Sequence, residues 1–287
     1  MIPPNESSPT GGLNYYPISD GEFKFIADKA HNEFGLSLHS DKTGLVQSRL
    51  SKRLRTLGID DFASYCLLLS TAQGQQESMH MLSALTTNVT HFFREAHHFE
   101  TLRNEILPTL RANSNSGNRL RIWSAGCSAG QEPYSIAAAI LESWPDVADL
   151  DFRILATDVD PDILRAAKSG KYGDDEISKI PTNYRQIMFP KFCSGDTLLS
   201  PKVSELIKFA RINLIEDWPM TGKFDVIFCR NVAIYFDKRT QANLWKRLHN
   251  ILTPGGVLFI GHSERLSEHI EDKFDSIGVT TYRRIDN

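Results

Sequence analysis

Apolar residues recur every three or four positions through the first third of the chain, a spacing that predicts amphipathic helices. The clearest stripe on one predicted helix consists of Val46, Leu50, Leu54 and Leu57. Two more stretches of the same kind follow, so we expect a helical N-terminal domain over 18–86. The tail over 1–17 is rich in Pro, Ser, Asn and Gly, a composition typical of mobile segments.

A different pattern begins near residue 120, where short β-branched and aromatic runs alternate with helical stretches. This alternation predicts an α/β domain over 87–287 with a mostly parallel sheet. A closing hairpin over 274–284, turning around Ser276-Ile277-Gly278, predicts an antiparallel edge strand. An insert over 174–204 contains a Ser194-Gly195-Asp196 turn between apolar runs, which predicts a small antiparallel β-subdomain. The predicted parallel strands lie near Leu120 and over Phe152–Asp160, Ile207–Arg211, Phe224–Cys229 and Gly256–Gly261.

Composition narrows the class of protein. With 287 residues, 41% of them hydrophobic, the chain can bury one substantial core and a smaller one. It has neither an apolar run of membrane-spanning length nor a signal-peptide pattern at its start, so we expect a cytoplasmic protein without membrane insertion. The net charge of −3 argues against a nucleic-acid partner. The four cysteines are scattered without metal-ligand spacing, which argues against a zinc site or a disulfide framework.

The candidate chemistry is concentrated in two segments, LRIWSAGCSAGQEPYSIAAAI over 120–140 and FRILATDVD over 152–160. Together they predict a strand, a tight turn, a helix and a second strand, which is the frame of a nucleotide-like binding site. Gly126 and Gly130 allow the backbone to approach a ligand closely. Asp158 stands where the second strand should end, and it can accept hydrogen bonds from ribose hydroxyls.

Three interpretations of this turn compete. The dinucleotide fingerprint G-x-G-x-x-G fits poorly, because Gly126 and Gly130 are four residues apart. The same residues satisfy G-x-S-x-G, the nucleophile elbow of serine hydrolases, with Ser128 as nucleophile and His262 as the late histidine. However, the upstream residues read as helices without an oxyanion loop. The third interpretation is an S-adenosylmethionine site, in which Glu132 faces the cationic amino-acid end of the cofactor and Asp158 binds its ribose.

Longer motifs identify a family. The chain resembles the chemotaxis receptor methyltransferases, the CheR family, over roughly 20–286. The motifs that carry the resemblance are ALTTNVTHFFREAHHF, WSAGCSAGQEPYSIA, ATDVD, FDVIFCRNVAIYFDK and GHSE. The resemblance implies a helical N-terminal domain followed by a class I, Rossmann-like methyltransferase sheet with a small antiparallel β-subdomain insert. It also implies methyl transfer from S-adenosylmethionine to glutamate side chains of chemoreceptors, with S-adenosylhomocysteine as the product.

The same resemblance assigns residues to the site. By their positions in the family motifs, the residues implied to bind S-adenosylmethionine are Asn88, Thr90, Arg94, Glu132, Asp158, Asn213, Leu214, Arg230 and Asn231. Cys127 is expected to be a small buried filler in the turn.

Methyl transfer to a glutamate carboxylate requires few catalytic groups. A glutamate carboxylate is already ionised at neutral pH and the sulfonium already carries an activated methyl group, so neither a general base nor a metal is expected. We therefore predict that Arg94 and Tyr235 act by positioning. His91, His97 and His98 form a run without an evident acid partner for a metal site. A non-catalytic adaptor that binds S-adenosylmethionine is the alternative function.

A basic row on the second predicted helix suggests how the substrate is recognised. Arg49, Lys52 and Arg53 are expected to be exposed there and to steer the glutamate-bearing helices of receptor cytoplasmic domains. Some family members also dock a receptor C-terminal peptide on a glycine-rich loop of the insert. Here that loop, Phe192–Asp196, has one glycine, so we expect no need for a peptide tether. The protein is expected to be a monomer.

Overall fold

A computed structural model of the protein describes residues 16–87, 89–114, 119–194 and 197–285. The chain divides into two compact units. The first comprises the described residues up to Asn32 together with Leu38–Thr86, and the second comprises Glu33–Ser37 and the residues from Thr87 onward. The tail over 1–15, Asn88, and the Gly195-Asp196 turn lie outside the described residues.

The first unit is helical. Its helices are α1 (Asp20–Phe34), α2 (Thr43–Leu57), α3 (Phe62–Leu69) and α4 (Gly74–Leu85). The predicted stripe on α2 packs as expected at Val46, Leu50 and Leu54, which are completely buried, whereas Leu57 is 38% exposed at the helix end. Gly58 ends α2 in the left-handed conformation, with φ of 66°.

The second unit is an α/β domain. Its strands are β1 (Leu120–Ala125), β2 (Phe152–Asp158), β3 (Ile207–Arg211), β4 (Phe224–Cys229), β5 (Leu252–Ile260), β6 (Phe274–Gly278) and β7 (Thr281–Arg284). Its helices are α5 (Ala96–Thr101), α6 (Leu107–Ser114), α7 (Gln131–Ser143), α8 (Pro161–Ser169), α9 (Asp174–Ser178), α10 (Thr182–Met188), α11 (Pro201–Ser204) and α12 (Lys238–Ile251). A π-helical turn, Leu102–Ile106, joins α5 to α6.

The sheet has the order β3-β2-β1-β4-β5-β7-β6. Strands β1 to β5 pair in parallel and β7 pairs antiparallel with β5 and β6, which confirms the predicted mostly parallel sheet with an antiparallel edge. Successive residues of β1 serve different cores: Ile122 packs in a cluster with Ile140 of α7, and Trp123 packs in another with Trp245 of α12. Because neighbouring strand residues point to opposite faces, the sheet is buried on both sides.

Two local predictions were wrong. The described residues of the 174–204 insert form the short helices α9, α10 and α11 and contain no strand, so the expected antiparallel β-subdomain is absent there. The physical reason is that Tyr184 and Met188, both buried and four residues apart, lie on one face of α10. The closing hairpin forms, but its turn falls at Val279-Thr280, because Ser276–Gly278 continues β6.

A short segment leads the chain briefly into the second unit. Within Glu33–Ser37, Leu36 forms an antiparallel bridge with Phe236, and the Ser37 N–H donates to the carbonyl oxygen of Tyr235 at 2.8 Å. These five residues therefore belong to the α/β domain although the first unit continues after them. Among the described residues, none of the helices combines the length and apolar character that crossing a membrane requires.

Candidate active site

The predicted site residues of the α/β domain gather at one edge of the sheet. Parallel strands end at the same edge, so the segments that follow β1, β2, β3, β4 and β5 are brought together there. Glu132 follows β1, Asp158 is the last residue of β2, Asn213 follows β3, and Arg230 follows β4. The strand order changes direction between β1 and β4, and a crevice is expected at this point.

The turn after β1 requires glycine for two separate reasons. Gly126 has φ of 80°, and a Cβ atom there would lie 2.3 Å from Cγ2 of Val232. Gly130 has φ of 96° at the start of α7. The N–H groups of Gly126 and Cys127 both donate to the Thr157 carbonyl oxygen at 2.8 Å, which ties the turn to the end of β2. Cys127 is 1% exposed, as predicted for a small filler.

Asp158 links this turn to the next strand. Its carboxylate accepts hydrogen bonds from the Ser128 N–H at 2.9 Å and the Asp160 N–H at 3.1 Å. Burial raises the pKa of Asp158, and these backbone donors oppose the rise. These donors leave acceptor capacity on the carboxylate, because a carboxylate has about four acceptor sites.

Glu132 and Arg230 form a buried ion pair where the strand order changes direction. Oε2 of Glu132 lies 3.3 Å from Nη1 of Arg230, and Oε1 accepts a hydrogen bond from the Ser124 hydroxyl at 2.7 Å. Burial raises the pKa of Glu132, and the positive charge of Arg230 is the largest opposing influence. Arg230 also donates to the carbonyl oxygen of Arg94, and its guanidinium lies 3.4 Å from Glu95. Arg230, which was predicted to bind the cofactor, therefore orients the carboxylate of Glu132.

The two residues before Arg94, Phe92 and Phe93, are buried and anchor the backbone on which Arg94 lies. Phe92 and Phe93 are 9% exposed, and Phe93 stacks on Tyr184 with ring centroids 4.2 Å apart. Phe93 and Glu95 both have φ near 55°, so the chain turns sharply around Arg94. The side chain of Arg94 is half-buried, and its Nη1 lies 3.4 Å from the carbonyl oxygen of Val89.

Tyr235 is held by its hydroxyl. The Thr87 N–H donates to the Tyr235 hydroxyl at 3.2 Å, and the hydroxyl donates to the Thr87 carbonyl oxygen at 3.0 Å. Tyr235 ends a 3₁₀ turn, Ala233–Tyr235, that follows Asn231, whose φ is 58°. The motif that contains Thr87 and Arg94 and the motif that contains Tyr235 are thus adjacent. Thr90, in the first of these motifs, is half-buried, and Asn88 lies outside the described residues.

The side chain of Asn213 is engaged within the protein. Its amide nitrogen donates to the carbonyl oxygen of Glu33 at 2.8 Å and to the carboxylate of Glu216 at 2.9 Å. Its oxygen accepts from the Ile215 N–H at 3.3 Å. Leu214 is buried, 7% exposed. Because both amide protons are in use, the side chain of Asn213 has no donor left for a ligand.

The basic row on α2 differs from the prediction. Arg53 forms two hydrogen bonds to Glu77, at 3.0 and 2.5 Å, and Glu77 also accepts from the Tyr65 hydroxyl at 2.9 Å. Arg49 donates to the carbonyl oxygen of Leu85 at 2.5 Å at the end of α4. Of the three predicted recognition residues, only Lys52 is exposed. The expectation of an exposed row was wrong because α4 supplies partners for both arginines.

Sequence reasoning did not select Glu95, which connects several of these groups. Its Oε1 lies 3.1 Å from Nδ1 of His262, and its Oε2 lies 3.4 Å from both Arg230 and Nδ1 of His98. Burial would raise the pKa of Glu95, but the charge of Arg230 and the His262 contacts lower it below its ordinary value. The available signal was an acid placed beside Arg94 in the FFREAHHF motif.

Glu95 also supplies the acid that the sequence analysis did not find beside the histidines. Ligand atoms of Glu95, His97 and His98 all lie within 4.8 Å of one another. However, Arg230 contacts the same carboxylate, and its positive charge would repel a divalent cation. His98 is buried, and burial together with Arg230 lowers its pKa to about 3, so it is neutral at physiological pH.

A glycine turn after the first strand, a carboxylate beyond it and a second carboxylate at the end of the next strand define a class of enzyme. In a parallel sheet of this order they are the features of class I methyltransferases, which use S-adenosylmethionine.

Comparisons with known proteins show to which family of methyltransferases the chain belongs. The family described as CheR methyltransferase, SAM binding domain, matches residues 88–283, and its all-alpha domain matches residues 21–86. A probable chemotaxis protein methyltransferase of Rhizobium etli is 48% identical over 261 residues, which cover 88% of this chain and 96% of the relative. Chemotaxis protein methyltransferase 2 of Pseudomonas aeruginosa is 37% identical over 285 residues, covering 98% and 99%. The chemotaxis protein methyltransferase of Escherichia coli is 37% identical over 269 residues, covering 92% and 91%. The chain belongs to the CheR methyltransferase family.

Family membership decides between the three interpretations of the turn at 126–130. The S-adenosylmethionine interpretation is the one that the family supports, in preference to a dinucleotide fold or a serine hydrolase. Consistent with this, the N–H of Ser128 donates to Asp158, and His262, the histidine that a hydrolase would need, lies against Glu95.

Proposed function

We propose that this protein transfers a methyl group from S-adenosylmethionine to glutamate side chains in the cytoplasmic domains of chemoreceptors. The observation that carries the proposal is the convergence of Glu132, Asp158, Arg94 and Tyr235 from separate motifs at one edge of a class I sheet. The names of the relatives as chemotaxis methyltransferases support the substrate. The products would be glutamyl methyl esters and S-adenosylhomocysteine.

The residues present fit S-adenosylmethionine. Glu132 would hold the cationic amino group, since it is a buried carboxylate whose other ionic partner is Arg230. Asp158 would accept hydrogen bonds from the ribose hydroxyls, for which it has acceptor capacity left. The backbone of Asn213 and Leu214, together with Asn231, would line the adenine side, and Thr90 with Asn88 would complete the pocket. When bound, the cofactor supplies an activated methyl group on a sulfonium.

Arg94 and Tyr235 are proposed to position the substrate glutamate. Arg94 would bind its carboxylate through a charge-assisted hydrogen bond. Tyr235 would help to place the same carboxylate indirectly, because its hydroxyl fixes the backbone of Thr87 in the motif that carries Arg94. Because the carboxylate is ionised at neutral pH, no residue is required as a general base. Alignment alone can supply effective molarities of about 10⁵ M or more. We also propose that no metal takes part and that the protein acts as a cytoplasmic monomer.

The direct test is methyl transfer from labelled S-adenosylmethionine to purified receptor cytoplasmic fragments. We expect label in the receptor that is released by mild base, because carboxyl methyl esters hydrolyse readily whereas methylated lysine or arginine does not. A receptor fragment with its acceptor glutamates replaced by aspartate is the matched control and should stay unlabelled. Binding of S-adenosylhomocysteine without any transfer would support the adaptor function instead.

A further inference from the structure

Glu264 is a buried carboxylate surrounded by backbone N–H groups. Its side chain belongs to a residue only 4% exposed, and Oε2 accepts from Gly261 at 2.5 Å and from Asn231 at 2.9 Å. Oε1 accepts from Val232 at 3.0 Å and from Ile234 at 3.3 Å. These four donors match the roughly four acceptor sites of a carboxylate. Glu264 therefore has no acceptor left for a ligand, and its effect must pass through the backbone that it binds.

Three of the four donors belong to the loop between β4 and α12, which carries Asn231 and Tyr235. This loop has no strand partner for its inward-facing N–H groups, and a buried N–H without an acceptor costs about 1–3 kcal/mol. Asn231 has φ of 58°, in the left-handed region, which asparagine adopts more readily than other non-glycine residues. Burial raises the pKa of Glu264, and the same backbone donors oppose that rise.

The spacing of the GHSE motif explains how the carboxylate reaches the loop. A Cβ atom on Gly261 would lie 2.5 Å from Nδ2 of Asn231 and 2.8 Å from Oε2 of Glu264. Glycine at this position therefore allows the end of β5 to approach the loop. The turn that follows is closed by the Glu264 N–H, which donates to the Gly261 carbonyl oxygen at 2.9 Å.

We propose that Glu264 is a positioning residue for methyl transfer, which fixes the 231–235 loop so that Asn231 and Tyr235 stand correctly toward the cofactor and the substrate glutamate. The inference rests on the proposed function. Tyr235 is then fixed from two directions: Thr87 holds its hydroxyl, and Glu264 holds the backbone immediately before it through Ile234.

The first test measures how firmly Glu264 holds the backbone of the 231–235 loop, and it does not depend on enzymatic activity. Glu264→Gln keeps the size of the side chain but replaces one acceptor oxygen by an NH₂ group that faces backbone donors. We expect hydrogen exchange of the 230–236 amides to accelerate by about tenfold or more, the equivalent of one lost buried hydrogen bond. Glu268→Gln, at an exposed glutamate four residues away, is the matched control. Unchanged exchange in Glu264→Gln would overturn the proposal.

The second test connects the loop to the chemistry. With receptor and cofactor saturating, Glu264→Gln should lower kcat by about tenfold or more while leaving the KM for receptor unchanged. Combined with Tyr235→Phe, its effect should be smaller than the product of the two single effects, because both changes act on the same group. A simple product, or an unchanged kcat, would contradict a positioning role.

Two controls keep the outcome clear. If Glu264→Gln does not fold, Glu264→Asp carries the same tests, because it keeps the charge and withdraws the carboxylate by one methylene. A parent protein that transfers no methyl group would defeat the proposed function, whereas an active parent with a fully active Glu264→Gln variant would defeat only this inference.

Discussion

The carboxylate of Glu132 and the guanidinium of Arg230 lie 3.3 Å apart, although 98 positions separate them in the chain. They follow β1 and β4, the two neighbouring strands at which the sheet order changes direction. The pair therefore spans the place where ligands bind in open parallel sheets. Burial raises the pKa of Glu132, and the positive charge of Arg230 opposes that rise, as a cationic ligand beside the same carboxylate would.

Cofactor binding should depend on both carboxylates. At a hundredfold excess over its Kd, S-adenosylhomocysteine should stabilise the protein by about 2.7 kcal/mol, measured as a rise in Tm. Glu132→Gln and Asp158→Ala should each weaken binding by roughly ten- to a hundredfold, the loss of a hydrogen bond to a charged group. Asp160→Asn is the control, because Asp160 caps α8 and asparagine caps equally well. Unchanged affinity in Asp158→Ala would refute the ribose assignment.

Tyr235→Phe should separate binding from transfer. The substitution removes one hydroxyl, together with its two contacts to Thr87, and leaves the ring in place. We expect kcat to fall about tenfold or more, with little change in the Kd for S-adenosylhomocysteine measured by calorimetry. Tyr282→Phe, on β7 and away from the proposed site residues, provides a comparison that should keep full activity. A normal turnover rate in Tyr235→Phe would reduce Tyr235 to a packing role.

The three residues of α2 that were predicted to recognise the receptor, Arg49, Lys52 and Arg53, should behave differently from one another. Arg53→Ala leaves the buried Glu77 carboxylate without its cation, so the free energy of unfolding should fall by about 3 kcal/mol in urea denaturation. Lys52→Glu changes an exposed charge and should leave stability nearly unchanged. Charge reversal at Arg49 or Arg53 would disturb folding as well as docking, because both have partners within the helical unit.

If that face of α2 meets the receptor, Lys52→Glu should raise the KM for receptor a few-fold, since an exposed ion pair contributes about 0.2–1 kcal/mol. The effect should shrink as salt is added, and cofactor affinity should be unaffected. A KM equal to that of the parent at low ionic strength would argue against docking through Lys52.

Stability should fall in mild acid because of His98. Its pKa is lowered to about 3 by burial, by Arg230 and by His97, with Glu95 acting in the opposite direction. An unfolded histidine titrates near 6.5, so between those values the unfolded state binds one more proton. The free energy of unfolding should therefore decrease as pH falls, by up to about 1.4 kcal/mol per pH unit.

His98→Gln should flatten this dependence between pH 7.5 and 5, as measured by urea denaturation. Glutamine can still reach the Thr280 hydroxyl that His98 contacts at 2.9 Å. Burial raises the pKa values of Glu132, Asp158 and Glu264, which stabilises the protein toward acid, but both proteins share that contribution. Equal slopes for parent and variant would exclude His98 as the source.

The insert should not bind a receptor tether peptide. Capture of an extended peptide by strand addition needs a free strand edge. The described residues of 174–204 are helical wherever they form regular structure, and Phe192–Ser194 is a 3₁₀ turn. Calorimetry with the C-terminal peptide of a receptor should give no measurable binding heat. Tight binding of that isolated peptide would contradict the prediction.

The parallel strands and the ends of β1 and β2 could be predicted because their signals are local. Buried parallel strands give continuous β-branched runs, and the glycine turn with Glu132 and Asp158 occupies one stretch of about 40 residues. The turn of the closing hairpin could not be predicted, because it uses Thr280 at φ of 48°, where a β-branched residue is unexpected.

The prediction for the insert was wrong because strands were inferred where the spacing of the apolar residues is helical. Ile180, Tyr184 and Met188 are four residues apart, but the glycine-containing turn was given more weight. Partners distant in sequence were a harder problem. Glu77 lies on α4 and binds Arg53 on α2. Neither charged residue, considered by itself in the sequence, indicates that its partner lies on another helix. Glu95 was missed for the same reason, because its partners Arg230 and His262 are more than 130 positions away in the chain.

The segment Glu33–Ser37 determines where the protein can be divided into fragments. A fragment beginning at Thr87 would contain every strand and helix from α5 onward, yet the carbonyl oxygen of Tyr235 would lose its Ser37 donor and the side chain of Asn213 would lose the Glu33 oxygen. The methyltransferase domain is thus a discontinuous domain, completed by five residues encoded within the N-terminal region. Exchange of the helical unit between relatives, in the laboratory or by recombination, would need to carry a matching copy of that segment.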